Sequence, residues 1–169
     1  MVNTNEEHGP DCTCGCHDHG HEGERGHHHE HGGHHREHNH AHEHAHKRKV
    51  ELGWGTAALE SHTHEQAATV SATICAQSNS STTFARLVEA LQAVARQVES
   101  AGGIVGHIKA YAKLGDSFAH ASATDAQHAP SCEGVLDLPL NPETHCQLVA
   151  IALLVDLEQL EQIVIGALR

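Results

Sequence analysis

The sequence predicts an α+β domain, a mainly antiparallel sheet with two helices on one face, preceded by a His-rich tail that we expect to be disordered. The composition changes near residue 50, from a segment without Leu, Ile, Phe, Trp or Tyr to one rich in Ala, Val, Ile and Leu. Beyond that point several segments alternate apolar and polar residues as strands do, and two others repeat apolar residues at helical spacing. We therefore divide the chain into a tail with a basic hinge (1–49) and a domain (50–169) of order β-α-β-β-β-α.

The first half of this domain contains a predicted strand followed by a predicted helix. Residues 69–77 (TVSATICAQ) alternate apolar and polar side chains, which is typical of a half-buried strand. Residues 83–100 repeat apolar side chains at i, i+3 and i+4 over four turns, so we predict an amphipathic helix that Gly102 and Gly103 end. An additional strand around residues 50–56 is an open alternative.

The second half of the domain contains three more predicted elements. Residues 104–114 alternate again, and the Gly-Asp turn after them predicts that 117–124 return beside them as a hairpin strand. Residues 125–145 hold three of the four Pro and read as a long loop. Residues 146–155 are apolar on both faces, as in a central strand, and Asp156 is the predicted N-cap of a last helix.

The charge balance limits the partners of the chain. With 22 acidic and 10 basic residues the formal charge is −12, which argues against nucleic acid and anionic lipid and suits cations. The longest apolar run, residues 148–155, is too short to span a membrane. Aromatic residues make up only 2%, and a small aliphatic core of this kind often depends on a partner chain, so we expect a homo-oligomer.

The first residues and the Cys pattern indicate the cellular compartment. Residues 1–12 have neither the basic nor the apolar region of a signal peptide. Cys12, Cys14 and Cys16 alternate in one short stretch, which is poor geometry for disulfides between them, while Cys75 and Cys146 lie in apolar runs. We therefore expect a cytoplasmic protein with reduced thiols.

The tail concentrates metal-binding side chains. Residues 1–46 contain fifteen of the 21 His, and imidazole and thiolate are the usual protein ligands of Zn, Ni, Co and Cu. His alternates with other residues in 38–46, so neighbouring rings of an extended segment would point the same way. Interleaved Glu and Asp favour a divalent cation. The donors have no fixed spacing, which indicates exchangeable binding of several ions; an engineered tag, an inert solubilising tail and a proton buffer are the alternatives.

The candidate metal ligands include a compact thiolate element and a pair in the domain. CTCGC at 12–16, followed by His17, forms a candidate tight Cys₃His or Cys₃-backbone site. HTHE at 62–65 has the same alternate His spacing beside Glu65, although a polar lead-in to a strand is the alternative. The full set is Cys12, Cys14, Cys16, His17, His19, His21, His27, His28, His29, His31, His34, His35, His38, His40, His42, His44, His46, His62 and His64.

The Cys-Gly-Cys element followed by a long His/Asp run resembles the N-terminus of the nickel-incorporation GTPases of hydrogenase maturation. Cys14, Gly15 and Cys16 match that family's CGC, whereas Cys12 stands one residue closer than in its C-x-x-C-G-C. The resemblance covers about residues 11–46 and implies nickel handling, with cobalt or zinc as alternatives. His-rich tails of this kind also occur on urease nickel chaperones and cobalt-chelatase-type proteins. No G-x-x-x-x-G-K-[ST] occurs in the sequence, so the chain has no P-loop.

The predicted domain contains further pairs of candidate ligands. The hairpin register places Tyr111 opposite His120 and His107 near residue 124, which separates His107 from His120 along the ladder. Cys132 and His145 are candidates for a metal clasp of the long loop.

The leading interpretation is a non-enzymatic metallochaperone or storage protein that passes its metal by ligand exchange to a client metalloenzyme or maturation factor. Two alternatives stay open. A metal-responsive regulatory protein would need ligands inside the domain, such as His62, His64 and His107. An enzyme would use the tail to supply its own centre, but no local signature of a nucleophile surrounds the domain's Cys residues.

Overall fold

The structure is a computed structural model that describes residues 46–79 and 81–169. The described residues form seven strands and two helices in the order β-β-β-α-β-β-β-β-α. Their bounds are β1 His46–Leu52, β2 Gly55–His64, β3 Ala67–Ala76, α1 Phe84–Ser100, β4 Ile104–Leu114, β5 Ser117–Ala123, β6 Ser131–Gly134, β7 His145–Leu153 and α2 Leu157–Leu168. All seven strands belong to one antiparallel sheet with the spatial order β1-β2-β3-β7-β4-β5-β6. The α+β class predicted from the sequence is confirmed.

The sheet begins with two hairpins, formed by β1, β2 and β3, where the sequence predicted β3 and one uncertain strand before it. β1 pairs with β2 and β2 with β3, each over the whole of the shorter strand. The basic segment 47–49 lies within β1, where Lys47 stands opposite Glu60 and forms an ion pair with it at 2.9 Å. Gly55 is needed at the first turn, because a Cβ there would lie 2.3 Å from the carbonyl oxygen of Cys75.

Strand β7 occupies the centre of the sheet. It pairs with β3 on one side, where Val70 lies opposite Ala150, and with β4 on the other, where Ile108 lies opposite the same Ala150. The prediction that this apolar run is a central strand is confirmed. Its position joins the first three strands to the hairpin formed by β4 and β5.

The hairpin of β4 and β5 has the predicted register, with Tyr111 opposite His120. The predicted loop 125–145, in contrast, contains strand β6, which extends the sheet at the edge beyond β5. The four residues of β6 are all exposed, so no apolar periodicity marks them in the sequence. The remainder of the loop is anchored to the start of α1, where the backbone N–H of Phe84 donates to the carbonyl of Leu138 at 2.9 Å.

Both helices pack on one face of the sheet and on each other. The inward residues of the central strands are small or aliphatic, and helix α1 adds a fully buried stripe that includes Phe84, Leu87 and Leu91. Helix α2 begins as predicted, since the Asp156 carboxylate accepts a hydrogen bond from the N–H of Gln159 at 2.7 Å. The second face of the sheet, which we call the open face, is covered by no described element.

The end of α2 is tied back to the first turn of the sheet. The Trp54 indole N–H donates to the carbonyl of Leu168 at 2.9 Å, and the Arg86 guanidinium lies 5.7 Å from the Trp54 ring centroid. The buried Ser61 hydroxyl of β2 donates to the Glu161 carboxylate of α2. In the described part of the chain, neither helix is long and apolar enough to cross a membrane.

We expect the substitution of Leu by Ala to lower the free energy of unfolding by different amounts at Leu91 and at Leu136. Leu91 is fully buried, so Leu91→Ala is expected to lower the free energy of unfolding by about 3 kcal/mol. Leu136 is 42% exposed, and Leu136→Ala is expected to cost less than about 1 kcal/mol. Denaturant unfolding of both variants measures the difference, and equal losses would contradict this packing of α1.

Candidate functional site

Most of the candidate ligands predicted from the sequence lie outside the described residues. These are Cys12, Cys14, Cys16, His17, His19, His21, His27, His28, His29, His31, His34, His35, His38, His40, His42 and His44. The structure describes the other three, His46, His62 and His64, and places all three in strands of the sheet.

His62 and His64 are part of strand β2. The sequence suggested that they precede the first strand, whereas they end the second one, opposite Thr69 and Ala67 of β3. Ala57, Leu59 and Ser61 point into the core, so the alternation along β2 puts both imidazoles on the open face. His62 is half-buried and His64 is exposed.

The sheet register brings His62 into one row with His107. The row runs across four neighbouring strands as His62, Thr69, Ile151 and His107. Three strand spacings of about 4.8 Å separate the two His residues by about 14 Å. They cannot bind one ion within a single copy of the chain, but they stand at equal distances from the midline between β3 and β7.

His107 has an unusual environment on this face. It follows a register shift between Val105 and His107 in the ladder with β7, and its ring is half-buried. Its Nε2 atom is shielded from solvent and has no hydrogen-bond partner among the described residues. A buried polar atom without a partner costs about 1–3 kcal/mol, so the Nε2 of this ring has unused hydrogen-bonding capacity.

Two further described His residues, one in β5 and one in the loop after it, each lie beside an acidic residue. His120 lies opposite Tyr111 on one side and Glu133 on the other. His128 lies 2.9 Å from Asp125, and hydrogen bonds from the His128 backbone and ring are the main reason why the pKa of Asp125 is lowered. In the part of the chain that the structure describes, no three His, Cys, Asp or Glu side chains come close enough to hold a metal ion.

His46, the last His of the tail, enters the sheet beside helix α2. It lies opposite Ser61 and is exposed. A cleft of about 370 Å³ at this edge is lined by His46 and by two acidic residues of α2, Glu158 and Glu161. The sequence did not single out these carboxylates, because they fall on the polar stripe of an ordinary amphipathic helix.

The three described Cys residues are free thiols in unlike settings. Cys75 and Cys132 are exposed, whereas Cys146 is buried. The suggested metal clasp of Cys132 with His145 does not form, because β4 and β5 lie between the strands that carry them. The three strand spacings alone amount to about 14 Å, and the row of Cys132 meets β7 at Leu148 and not at His145. The edge strand β6, absent from the sequence prediction, is the reason for this separation.

Burial controls the chemistry of Cys146. Desolvation, with a smaller contribution from nearby Cys75, raises its pKa to about 12. Because the thiolate is the form that attacks electrophiles and binds metals, Cys146 is an inert part of the core. This agrees with the sequence interpretation of Cys146 as a small apolar residue.

Comparison of the chain with protein-family models, with curated proteins and with solved structures found no match.

The Cys146 thiol predicts a specific loss of stability in alkali. Its pKa is about 12 in the folded state against 9.0 for an unperturbed thiol, so above pH 9.0 the unfolded chain loses a proton that the folded chain keeps. Between these values the free energy of unfolding should fall by up to about 1.4 kcal/mol per pH unit. Below pH 9.0 the thiol is neutral in both states and contributes no slope.

Urea unfolding of the wild type and of Cys146→Ala between pH 8 and pH 10.5 tests this expectation. All other ionisable groups are common to both proteins, so only the difference between the two pH profiles reports the thiol. The variant should lose less stability as the pH rises, and two parallel pH profiles would show that Cys146 ionises freely in the folded state.

Proposed function

We propose that the chain is a non-enzymatic binding protein for divalent transition metals, which stores them or delivers them to a client metalloenzyme or maturation factor. The observation that carries the proposal is the concentration of fifteen of the 21 His and three of the six Cys in residues 1–46. The two described His residues of β2, with the alternate spacing seen in the tail, give it limited further support.

Nickel is the proposed cargo, with zinc and cobalt as the alternatives. Imidazole nitrogen suits all three ions, and thiolates next to imidazole favour the softer ones. The resemblance of residues 11–46 to the N-terminus of nickel-incorporation GTPases supports nickel. The nine Asp and Glu of residues 1–45 exceed the two Arg there, so the tail has a formal charge of −7 with neutral His and attracts cations before any donor binds.

Delivery would proceed by ligand exchange. With many donors at no fixed spacing, a receiving site can displace them from an ion one at a time. Each imidazole must be deprotonated to bind, so the His part of the tail should lose metal as the pH falls through the range in which His titrates. Thiolates and imidazoles together would give the tail a graded series of affinities. We propose a cytoplasmic location and a homo-oligomer.

A regulatory protein that responds to metal is the second candidate. The row that joins His62 to His107 favours it, because a folded domain with its own ligands could couple metal to a change in its surface. The unpartnered Nε2 of His107 supports this reading further.

Nickel titration of the full chain tests the assignment of binding capacity to the tail. Replacing His34, His35, His38, His40, His42 and His44 with Asn should remove about one to two ions per chain, since each ion uses about four donors. Replacing His120, His128 and His145, which lie on separate parts of the domain, should leave the number of ions unchanged. Equal stoichiometry in all three proteins, by equilibrium dialysis and elemental analysis, would contradict the proposal.

The thiolates should determine the affinity for the first ion. A variant with Cys12, Cys14 and Cys16 replaced by Ser is expected to bind the first nickel or zinc ion about tenfold more weakly or worse, because thiolate is the stronger donor for these ions. The matched control replaces the two exposed thiols of the domain, Cys75 and Cys132, and should keep the wild-type affinity. Competition with a chromophoric chelator gives both values. An unchanged affinity in the triple variant would remove the thiolates from the site.

A further inference from the structure

The open face has the composition of a protein interface at its centre. Its two middle strands, β3 and β7, present nine outward residues without a charge, and His145 stands at the outer end of β7. These residues are Ala67, Thr69, Ser71, Thr73 and Cys75 in β3, and Gln147, Val149, Ile151 and Leu153 in β7. Charged and imidazole side chains flank this strip on β2 and β4, which gives an uncharged centre with a polar rim.

The size of the open face matches one side of a stable dimer. The four strands β2, β3, β7 and β4 have nine to eleven residues each. With the shorter β1 and β5 beside them, their spacing and rise give a face of about 850 Å². A standard interface buries about 800 Å² on each partner, so the open face is large enough to supply one side of such an interface.

One corner of the face carries the exposed Ile104, beside a strained segment at Leu154. Ile104, opposite Leu153 in the ladder, is 54% exposed, and the adjoining Leu154 is 67% exposed. Leu154 also has a φ of 61°, in the left-handed region that a bulky residue rarely adopts. A second sheet packed on the face would remove apolar surface at this corner from water.

The rows across the sheet are complementary to themselves under a two-fold rotation. The two-fold axis runs parallel to the strands, above the open face and midway between β3 and β7. Rotation about it brings β2 of one copy opposite β4 of the other, with the strands of the two sheets nearly aligned. In the row of His62, Thr69, Ile151 and His107 this rotation sets His62 opposite His107 of the second copy. The neighbouring row of Glu60, Ser71, Val149 and Lys109 likewise sets Glu60 opposite Lys109 of the second copy.

The charges of the second row agree with this placement. No carboxylate of the described residues lies within ion-pair distance of Lys109, whereas Glu60 is paired with Lys47. Glu60 has two carboxylate oxygens and can accept from Lys47 and from a second Lys.

We propose that a second copy of this chain packs on the open face, and that His62 and His64 of each copy bind a divalent transition-metal ion together with His107 of the other copy. Two equivalent sites result, each with three imidazoles and one position for water. Packed sheets lie about 10 Å apart, which leaves room for an imidazole from each side around an ion bound at about 2.1 Å. Within one copy the site is incomplete, because His107 is three strands away from His62. The inference does not depend on metal binding by the tail.

Sedimentation velocity of the full chain, in EDTA and with added Ni²⁺, tests the proposal. The wild type should form a dimer whose dissociation constant falls about tenfold or more with Ni²⁺, which corresponds to 1.4 kcal/mol. His107→Ala should keep the dimer in EDTA and lose the effect of Ni²⁺. His128→Ala, at an exposed His outside the face, should behave as the wild type. The tail is intact in every variant, so association through the tail would respond to Ni²⁺ equally in all of them, and that result would overturn the proposed metal site.

The dimer interface is tested separately from the metal. Ile104→Ser changes an exposed side chain of the open face and should weaken the dimer in EDTA at least about tenfold. Leu136→Ser changes an exposed side chain outside the face and should leave the dimer unchanged, while circular dichroism confirms that both variants fold. A wild type that is monomeric with and without Ni²⁺, or a dimer indifferent to Ile104→Ser, would overturn the proposal.

Discussion

The fold depends on the insertion of strand β7 between β3 and β4. The first three strands form hairpins with one another, and β4 forms a hairpin with β5, but no ladder joins these two groups without β7. Its residues lie far along the chain from β3, so the sheet closes through pairing between segments that are distant in sequence. Pairing between residues so distant in sequence costs loop entropy before it gains hydrogen bonds and buried area. The inward residues of β7, Ala150 and Ala152, are small and fully buried on the side of the sheet where helix α1 packs.

The same insertion determines the character of the open face. The inner side of β7 is covered by the core. Its alternate residues Val149, Ile151 and Leu153 therefore lie on the open face, beside the small residues of β3. It also fixes the distance between His62 and His107, because β3 and β7 are the two strands between them. The inner face stabilises the domain, whereas the outer face offers an uncharged strip for a partner and imidazoles at its border.

The sequence was sufficient where apolar periodicity was strong. Helix α1, the hairpin register that pairs Tyr111 with His120, and the central position of residues 146–155 followed directly from it. Where the structure has β1 and β2, the sequence indicated only one uncertain strand around residues 50–56, because charged residues fill β1 and because Ala and His dilute the alternation in β2. The row that relates His62 to His107 could not be predicted, since it follows from the order of strands in the sheet and not from any local pattern.

The candidate ligands divide in a similar way. The number and the spacing of His and Cys in residues 1–46 can be read directly from the sequence. The failure of Cys132 and His145 to meet, and the location of His46 beside Glu158 and Glu161, required the strand order and the helix contacts. Candidate ligands that are close in sequence can therefore be identified from the sequence alone. Sites whose residues come from distant strands can be identified only once the fold is known.

The most direct measurement of the central claim is X-ray absorption spectroscopy of the full chain loaded with nickel, first at one equivalent and then at saturation. The account predicts sulfur scatterers together with imidazole at one equivalent, from the Cys-Gly-Cys element and His17. It predicts a first shell dominated by imidazole at saturation, as the many His residues fill. A shell of oxygen alone at both loadings, without imidazole or sulfur, would contradict the claim that the His and Cys residues of this chain bind transition metals.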